Sequence, residues 1–414
     1  VAGKHASTIT GVPPHRASLL FVAEPTRSTP SALQPILAGI VAALVGFTSS
    51  FAVVLTGLRA VGASPTDAAS GLLVICVTQA LGMIYLSRRY RQPITLAWST
   101  PGAALLAGTG AVAGGWPAAV GAFLVVGASV ITTGLWPRLG ALITSIPTSL
   151  AQAMLAGVLL PLCLKPVTAF AASPGAIAPV IVVWLVLQRY SPRWAVPAAF
   201  GTAAVVIAID VAVAQRIPPA ADLIPHVAFT APDWTWQAIV GIALPLYIVT
   251  MASQNIPGVA VMKSYGYDVP WRPAMGVTGL GTMVGAPFGG HAVNLAAISA
   301  ALAAAPQAHP DPQRRWIAAS SAGWFYLLLA ACSAAVATLV SVAPAGVVET
   351  VAGLALLGTL AASLAGALKD ENGRESAVLT FVIAASGIGI FGIGSAFWAL
   401  VVGLVVRWVL ARGR

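Results

Sequence analysis

Apolar runs close to twenty residues long, nearly free of charge, recur from Ala32 to Val406. Each is about the length of helix that crosses the roughly 30 Å hydrocarbon layer of a bilayer. With 58% hydrophobic and 8% charged residues, the chain cannot hide that much apolar surface inside a water-facing globule. Lipid is therefore its solvent, and the expected fold class is an all-α polytopic membrane protein. A membrane barrel would read instead as ten-residue segments of alternating polarity.

The runs fall at 32–57, 68–86, a broken element 93–112, then 117–135, 147–164, 175–187 and 195–214. Beyond a Pro- and Asp-bearing loop (215–233) come 238–262, 273–285, a second broken element 286–305, then 316–342, 346–368, 377–390 and 391–406. This predicts fourteen transmembrane elements. The last two share one apolar run of about 30 residues, which as a single helix would reach about 45 Å. Gly387, Gly389, Gly392 and Gly394 are expected to break it.

Charge supports the count. With the N-terminus inside, the inner face receives Lys4, Arg16, Arg27, Arg88, Arg89, Arg91, Arg138, Arg189, Arg193, Lys263, Arg272, Arg314, Arg315, Lys369, Arg374, Arg407, Arg412 and Arg414. The outer face receives only Arg59, Lys165 and Arg216. That asymmetry follows the positive-inside rule, and an even number of elements puts both termini in the cytoplasm. The net charge of +10 is thus topological and no sign of a nucleic-acid partner, since no basic stripe forms. Residues 1–30 read as a cytoplasmic leader. Cys76, Cys163 and Cys332 lack metal-ligand spacing and read as packing residues; no metal or cofactor is expected.

The halves echo each other. Ser49-Ser50-Phe51-Ala52 laid over Ser253-Gln254-Asn255-Ile256 brings Arg59 over Lys263 and Gly62 over Gly266. An odd number of spans per half makes the repeats inverted, a pattern found in secondary transporters.

Each half also contains an interrupted element. In Pro93-Ile94-Thr95-Leu96-Ala97-Trp98-Ser99-Thr100-Pro101-Gly102, the β-branched start predicts a short strand, Ser99 or Thr100 an N-cap, and Pro101 the first helical turn. In Gly285-Ala286-Pro287-Phe288-Gly289-Gly290-His291-Ala292-Val293-Asn294, Pro and paired Gly resist helix until about His291. A half-helix from there to Ala305 is expected, and the half-helices of both the third and the tenth element are expected to follow short extended strands. Two helix starts in mid-membrane offer free N–H groups and partial positive charge, a site for an anion. Ser50, Gln254 and Asn255 are expected to face it; the serine could equally tie helices together, whereas two adjacent carboxamides, costly in lipid, favour a binding role for Gln254 with Asn255. His291 can take up a proton near neutral pH or act as a neutral cap. Glu349 is a second proton candidate or an interfacial residue. No soluble-enzyme constellation is present, and the chain is not expected to be an enzyme.

Met251-Ala252-Ser253-Gln254-Asn255-Ile256-Pro257-Gly258-Val259-Ala260-Val261, together with Gly285 to Ile298, closely resembles the benzoate/proton symporter (BenE) family, and Pro93 to Leu105 fits it too. The likeness runs from Ser31 to Arg412. It implies a fold like the uracil and anion permeases, with two inverted seven-span repeats. A core domain would comprise 31–136 and 237–342, a gate domain 137–216 and 343–414, and an external linker 217–236. It also implies a bacterial inner membrane location and a possible homodimer. Nucleobase members of that wider fold carry acidic residues where this chain has Gln254, Asn255, His291 and Asn294, which fits an anion instead. The expected substrate is benzoate or a similar aromatic carboxylate, imported with a proton. Its carboxylate would meet Thr100–Gly102, after the Ser99 cap, and Gly289, Gly290 and His291 to Ala292. Asn255 and Asn294 would add hydrogen bonds, and Phe51 or Phe288 would touch the ring. The alternatives are an inorganic-anion or nucleobase transporter of the same fold, or a passive anion channel.

Overall fold

A computed structural model describes residues 33–136, 138–140, 145–215 and 218–412. The leader 1–30, Arg216 and Arg414 lie outside the described residues. The chain is mostly helical, and among the described residues seven helices are long and apolar enough to cross a bilayer. An eighth is gained if α12 (Trp316–Ala331) and α13 (Ser333–Val342), bent by 52° at Cys332, form one span.

The first helical run divides into α1 (Gln34–Thr48) and α2 (Phe51–Ala60) at a serine pair. Both hydroxyls donate to the Gly46 carbonyl, Ser49 at 3.0 Å and Ser50 at 3.2 Å, in competition with the helical ladder. Next come α3 (Pro65–Tyr90), capped by a reciprocal Ser64–Asp67 box, strand β1 (Leu96–Trp98), the ten-residue α4 (Thr100–Thr109) and α5 (Gly115–Leu135). Helices α6 (Thr148–Ala172), α7 (Pro174–Tyr190) and α8 (Pro192–Val213) complete this half.

The second half opens with α9 (Trp236–Ser264), which contains two π-helical turns, Ile239–Ala243 and Met251–Asn255. Each lies just before a proline, Pro245 or Pro257. Proline lacks an N–H and its ring crowds the carbonyl four residues back, so the helix widens there instead of breaking. Then follow α10 (Trp271–Gly285), a 3₁₀ turn Ala286–Phe288, strand β2 (Val293–Leu295), the seven-residue α11 (Ile298–Ala304), α12, α13, α14 (Val347–Leu368), α15 (Arg374–Ser386) and α16 (Ser395–Arg412).

Two sequence expectations need correction. The second short helix begins at Ile298, not near His291, because residues 293–295 extend to pair with β1. The boundary expected at 390/391 lies inside a turn, where Gly387, Phe391 and Gly392 take positive φ and separate α15 from α16. The ungapped overlay of the halves does find a structural counterpart at Gly62 and Gly266: both take positive φ two residues after the helix ends Ala60 and Ser264.

α3 packs against α10 and α12, α1 against α12, α5 against α10, and α2 against α4. α6 packs against α14 and α15, α15 against α16, and α7 against α8. A separate apolar cluster built on Ile177, Ala199, Ala203, Ile207, Val347 and Val351 ties α7, α8 and α14 together.

Glycine sets the closest approaches. A Cβ on Gly71 would lie 2.3 Å from the Gly289 carbonyl oxygen, and Gly289 itself has φ +91°. Backbone against backbone cannot yield as a flexible side chain can. Gly71→Ala is therefore expected to lower stability by about 1–3 kcal/mol, as overpacking does, while Gly201→Ala, with nothing within 4 Å, is expected to be neutral or slightly stabilising. Thermal unfolding of the two variants in detergent checks the contrast.

Candidate functional site

The antiparallel pairing of β1 with β2 matches Leu96 to Leu295, Ala97 to Asn294 and Trp98 to Val293. Ser99 N–H donates to the Ala292 carbonyl (2.8 Å) and Ala296 N–H to that of Thr95 (3.0 Å), which closes both ends of the ladder. The N–H groups of Val293 and Leu295 fall on the other edge of β2. They donate to Thr282 Oγ1 (2.9 Å) and Asn255 Oδ1 (2.8 Å), so side chains from α10 and α9 finish what no third strand supplies.

From this ladder each half starts a short helix. Ser99 caps α4, its Oγ accepting from Gly102 N–H at 3.1 Å and from the Thr250 hydroxyl at 2.9 Å. Because Pro101 has no N–H and that of Gly102 is already taken, the exposed donors at the start of α4 reduce to Thr100 N–H and its hydroxyl. At the start of α11, the N–H groups of Ile298 and Ser299 lack partners within the helix.

Between these starts lies a cavity of about 140 Å³. Ser49 and Ser50 enter from the α1–α2 break, Gln254 from the π turn of α9, and Tyr326 from α12; Ala355, Leu356 and Thr359 of α14 face them. Among the described residues no charged side chain lines it. Gln254, Thr100, Ser299, Thr359 and Tyr326 have no side-chain hydrogen bond among the described residues, whereas Ser50 also accepts from Trp98 Nε1 at 2.9 Å. The Trp98 ring sits edge-on to Tyr326 at 6.0 Å and to Phe47 at 5.8 Å. Gly46 gives the cavity its depth, since a Cβ there would lie 2.6 Å from the Tyr326 hydroxyl and 3.5 Å from Ser299 Oγ.

Of the residues singled out in the sequence, Ser50, Thr100, Pro101 and Gln254 line this cavity. Ser99 and Gly102 lie beneath it as cap and capped amide. Asn255 is turned onto β2, and Asn294 Nδ2 donates to the Leu295 carbonyl at 2.8 Å. Phe51 is buried between Phe47 and Phe200, with centroids 5.4 and 4.7 Å away. Phe288 pairs with Phe229 at 5.8 Å, and its carbonyl accepts from Ser70. Gly289 and Gly290 form a packed chain reversal, with Gly290 N–H on the Gly285 carbonyl. His291 is buried behind the ladder, its Nε2 3.2 Å from the Ser99 carbonyl and its Nδ1 without a partner. Glu349 lies at another cavity, accepting from Gly346 N–H at 3.1 Å in the first turn of α14.

Gly46, Ser299, Tyr326 and Thr359 escaped the sequence reading. Tyr326 left one trace, a phenol inside an otherwise apolar run.

Helix starts meeting at a buried, uncharged, donor-lined cavity within an apolar bundle define a membrane transporter. Solved structures agree on the fold. The transmembrane domain of the cyanobacterial bicarbonate transporter BicA aligns with a TM-score of 0.56 at 13% identity, over 91% of this chain and 96% of that one. Murine SLC26A9, an anion transporter in its inward-facing state, aligns with 0.60 at 14% identity, over 92% of this chain and 68% of that one. The chain is thus similar in fold to the 7+7 inverted-repeat transporters.

The chain belongs to the BenE family, described as benzoate membrane transport protein, whose model matches residues 29–409. It is 39% identical to the inner membrane protein YdcO of Escherichia coli, over 91% of this chain and 95% of the relative. It is 28% identical to the benzoate membrane transport protein of Acinetobacter baylyi, over 92% and 96% respectively.

Asn255→Ala leaves the Leu295 amide buried without an acceptor, a loss of about 1–3 kcal/mol. Hydrogen exchange across residues 293–298 is expected to accelerate in that variant, and in Thr282→Val at residue 293, while α7 and α8 stay unchanged.

Proposed function

We propose that the protein imports benzoate or a closely related aromatic carboxylate together with a proton, by alternating access. The observation that carries this reading is the cavity between the starts of α4 and α11. At about 140 Å³ it is close to the ~150 Å³ engineered cavity that accommodates benzene. Its chemistry is divided: Thr100, Ser299, Gln254 and Tyr326 bring uncharged donors, while Trp98, Pro101, Leu302 and Leu356 bring apolar surface. A carboxylate among those donors gains charge-assisted hydrogen bonds and the positive end of α4, without a buried cation that would hold it too tightly to be released. The ring replaces water against Trp98 and Leu356.

A proton travelling with the anion would make the loaded carrier nearly neutral, which lowers the cost of moving it through a low-dielectric site. We assign the proton to His291 and not to Glu349, whose carboxylate already serves the Gly346 amide. With Nε2 against the Ser99 carbonyl, Nδ1 is the basic atom, and it has no other partner. A charge there acts on the substrate through Ser99 and the start of α4, without contact between His291 and the anion. In this reading fourteen elements form inverted repeats, both termini are cytoplasmic, and the set containing α3, α4, α9 and α11 moves as a core against the set containing α6, α14 and α15. Ala355, Leu356 and Thr359 are then the moving wall.

Reconstitution into proteoliposomes tests this directly. Labelled benzoate is expected to accumulate when the outside is acidic and to equilibrate without accumulation when the pH gradient is collapsed. Conduction without proton-driven accumulation would make the protein a channel. Tyr326→Phe keeps the ring contact with Trp98 and removes one donor, so KM is expected to rise about 5–10-fold, the equivalent of about 1–1.4 kcal/mol. Gly46→Val fills the cavity and is expected to abolish uptake with the protein still folded. His291→Gln is expected to retain benzoate exchange and lose acid-driven accumulation; full accumulation in that variant would remove His291 from the coupling path.

A further inference from the structure

A second cavity, of about 410 Å³, opens where α2 meets α14 and the segment before it. Thr56 and Arg59 line one wall, and Val340, Pro344, Val348 and Glu349 the other. Along α2 it is separated from the central cavity by the stretch from Ser50 to Thr56, and along α14 by that from Glu349 to Ala355, about 9 Å of helix in each case. Phe51 to Leu55 and Thr350 to Leu354 are all buried, so the two cavities are distinct and stacked.

Arg59 is half-buried, and its Nε is fully covered without a hydrogen-bond partner. Because Nε is covered, it does not face the cavity; the terminal Nη groups of the guanidinium are the pair that can meet a carboxylate in two-point geometry. Glu349 shares the cavity but is bonded to the Gly346 amide, and no ion pair joins it to Arg59 within 4.0 Å among the described residues. Its negative charge opposes a multiply charged guest more than a singly charged one. Apart from Thr56, the other lining side chains are Ala, Val and Pro. One free cation, one opposing carboxylate and apolar walls select a small organic monoanion.

We propose that Arg59 and its cavity form a separate capture site for organic monocarboxylates at the outer face, from which substrate passes to the central cavity when α2 and α14 part. The ligand class rests on the reading of the chain as a carboxylate carrier, but binding at Arg59 requires no transport.

Equilibrium binding of labelled benzoate to purified Gly46→Val protein, in which the central cavity is filled, isolates the outer site. Residual binding is expected, and is expected to fall at least fivefold when Arg59→Gln is added. Absence of residual binding, or binding indifferent to Arg59→Gln, overturns the proposal, whatever the protein transports. In uptake by the otherwise native protein, Arg59→Gln is expected to raise KM for external benzoate at constant maximal rate and to leave efflux from the inside unchanged. Glu349→Gln removes a like charge, so KM is expected to stay level or fall. If Glu349→Gln reproduces the Arg59→Gln defect, Arg59 serves Glu349 and the proposal fails. Should Arg59→Gln not fold, Arg59→Lys decides: loss of the fork raises KM, and an unaltered KM refutes the site.

Discussion

An unpaired backbone N–H or C=O is scarcely tolerable in an apolar surrounding, and the break at the centre of this protein answers to that constraint. Helices satisfy their own groups. Where the chain leaves the helix, at β1 and β2, each strand uses the other for one edge, and Thr282 and Asn255 supply acceptors for the remaining N–H groups of β2. Because the pairing partners are 195 residues or more apart in sequence, the two halves must be joined before either break is tolerated. The same joint fixes where α4 and α11 begin, and therefore where the cavity lies.

Around that joint the polar residues divide into those that build and those that remain open. Ser99, Asn255, Thr250 and Thr282 spend their hydrogen bonds on the scaffold. Gln254, Thr100, Ser299, Thr359 and Tyr326 keep theirs free at the cavity wall. Gln254 and Asn255 are neighbours in sequence with opposite duties. The π turn across Met251–Asn255 lets one face the cavity while the other reaches β2. An uncharged donor set also suits turnover: enough attraction to strip water from a carboxylate, with no fixed countercharge to trap it.

The comparison of sequence with structure is instructive at particular residues. The Ser99–Pro101 start of α4 was legible because capping and proline preference are local physics, decided within four residues. The second break falls where the sequence put it, but its short helix starts later than expected, because the extent of the strand at 293–295 depends on pairing with β1, which local propensity does not register. Gly289 and Gly290 resemble an anion cradle in sequence. In three dimensions Gly289 is needed because the backbone of Asp67 and Gly71 lies within 3.1 Å of where its Cβ would stand, and Gly290 because the Gly285 backbone lies within 3.3 Å. Phe51 and Phe288 are aromatic and close in sequence to the site, yet their rings are used by Phe47, Phe200 and Phe229. Tyr326, whose hydroxyl borders the cavity, comes from a helix that the sequence marked only as apolar.

By itself the sequence determined the solvent of this protein, its helical class, the echo between its halves and the residues at which helices must stop, since these follow from apolar run length, proline and glycine chemistry, and the distribution of Lys and Arg. Tertiary structure alone decided which of the candidate polar groups reach the cavity, where the second short helix starts, and that Arg59 and His291 stand apart from the central cavity. Those outcomes depend on pairings between residues far apart in the sequence, where the energy of one contact is set by what the distant partner leaves unsatisfied.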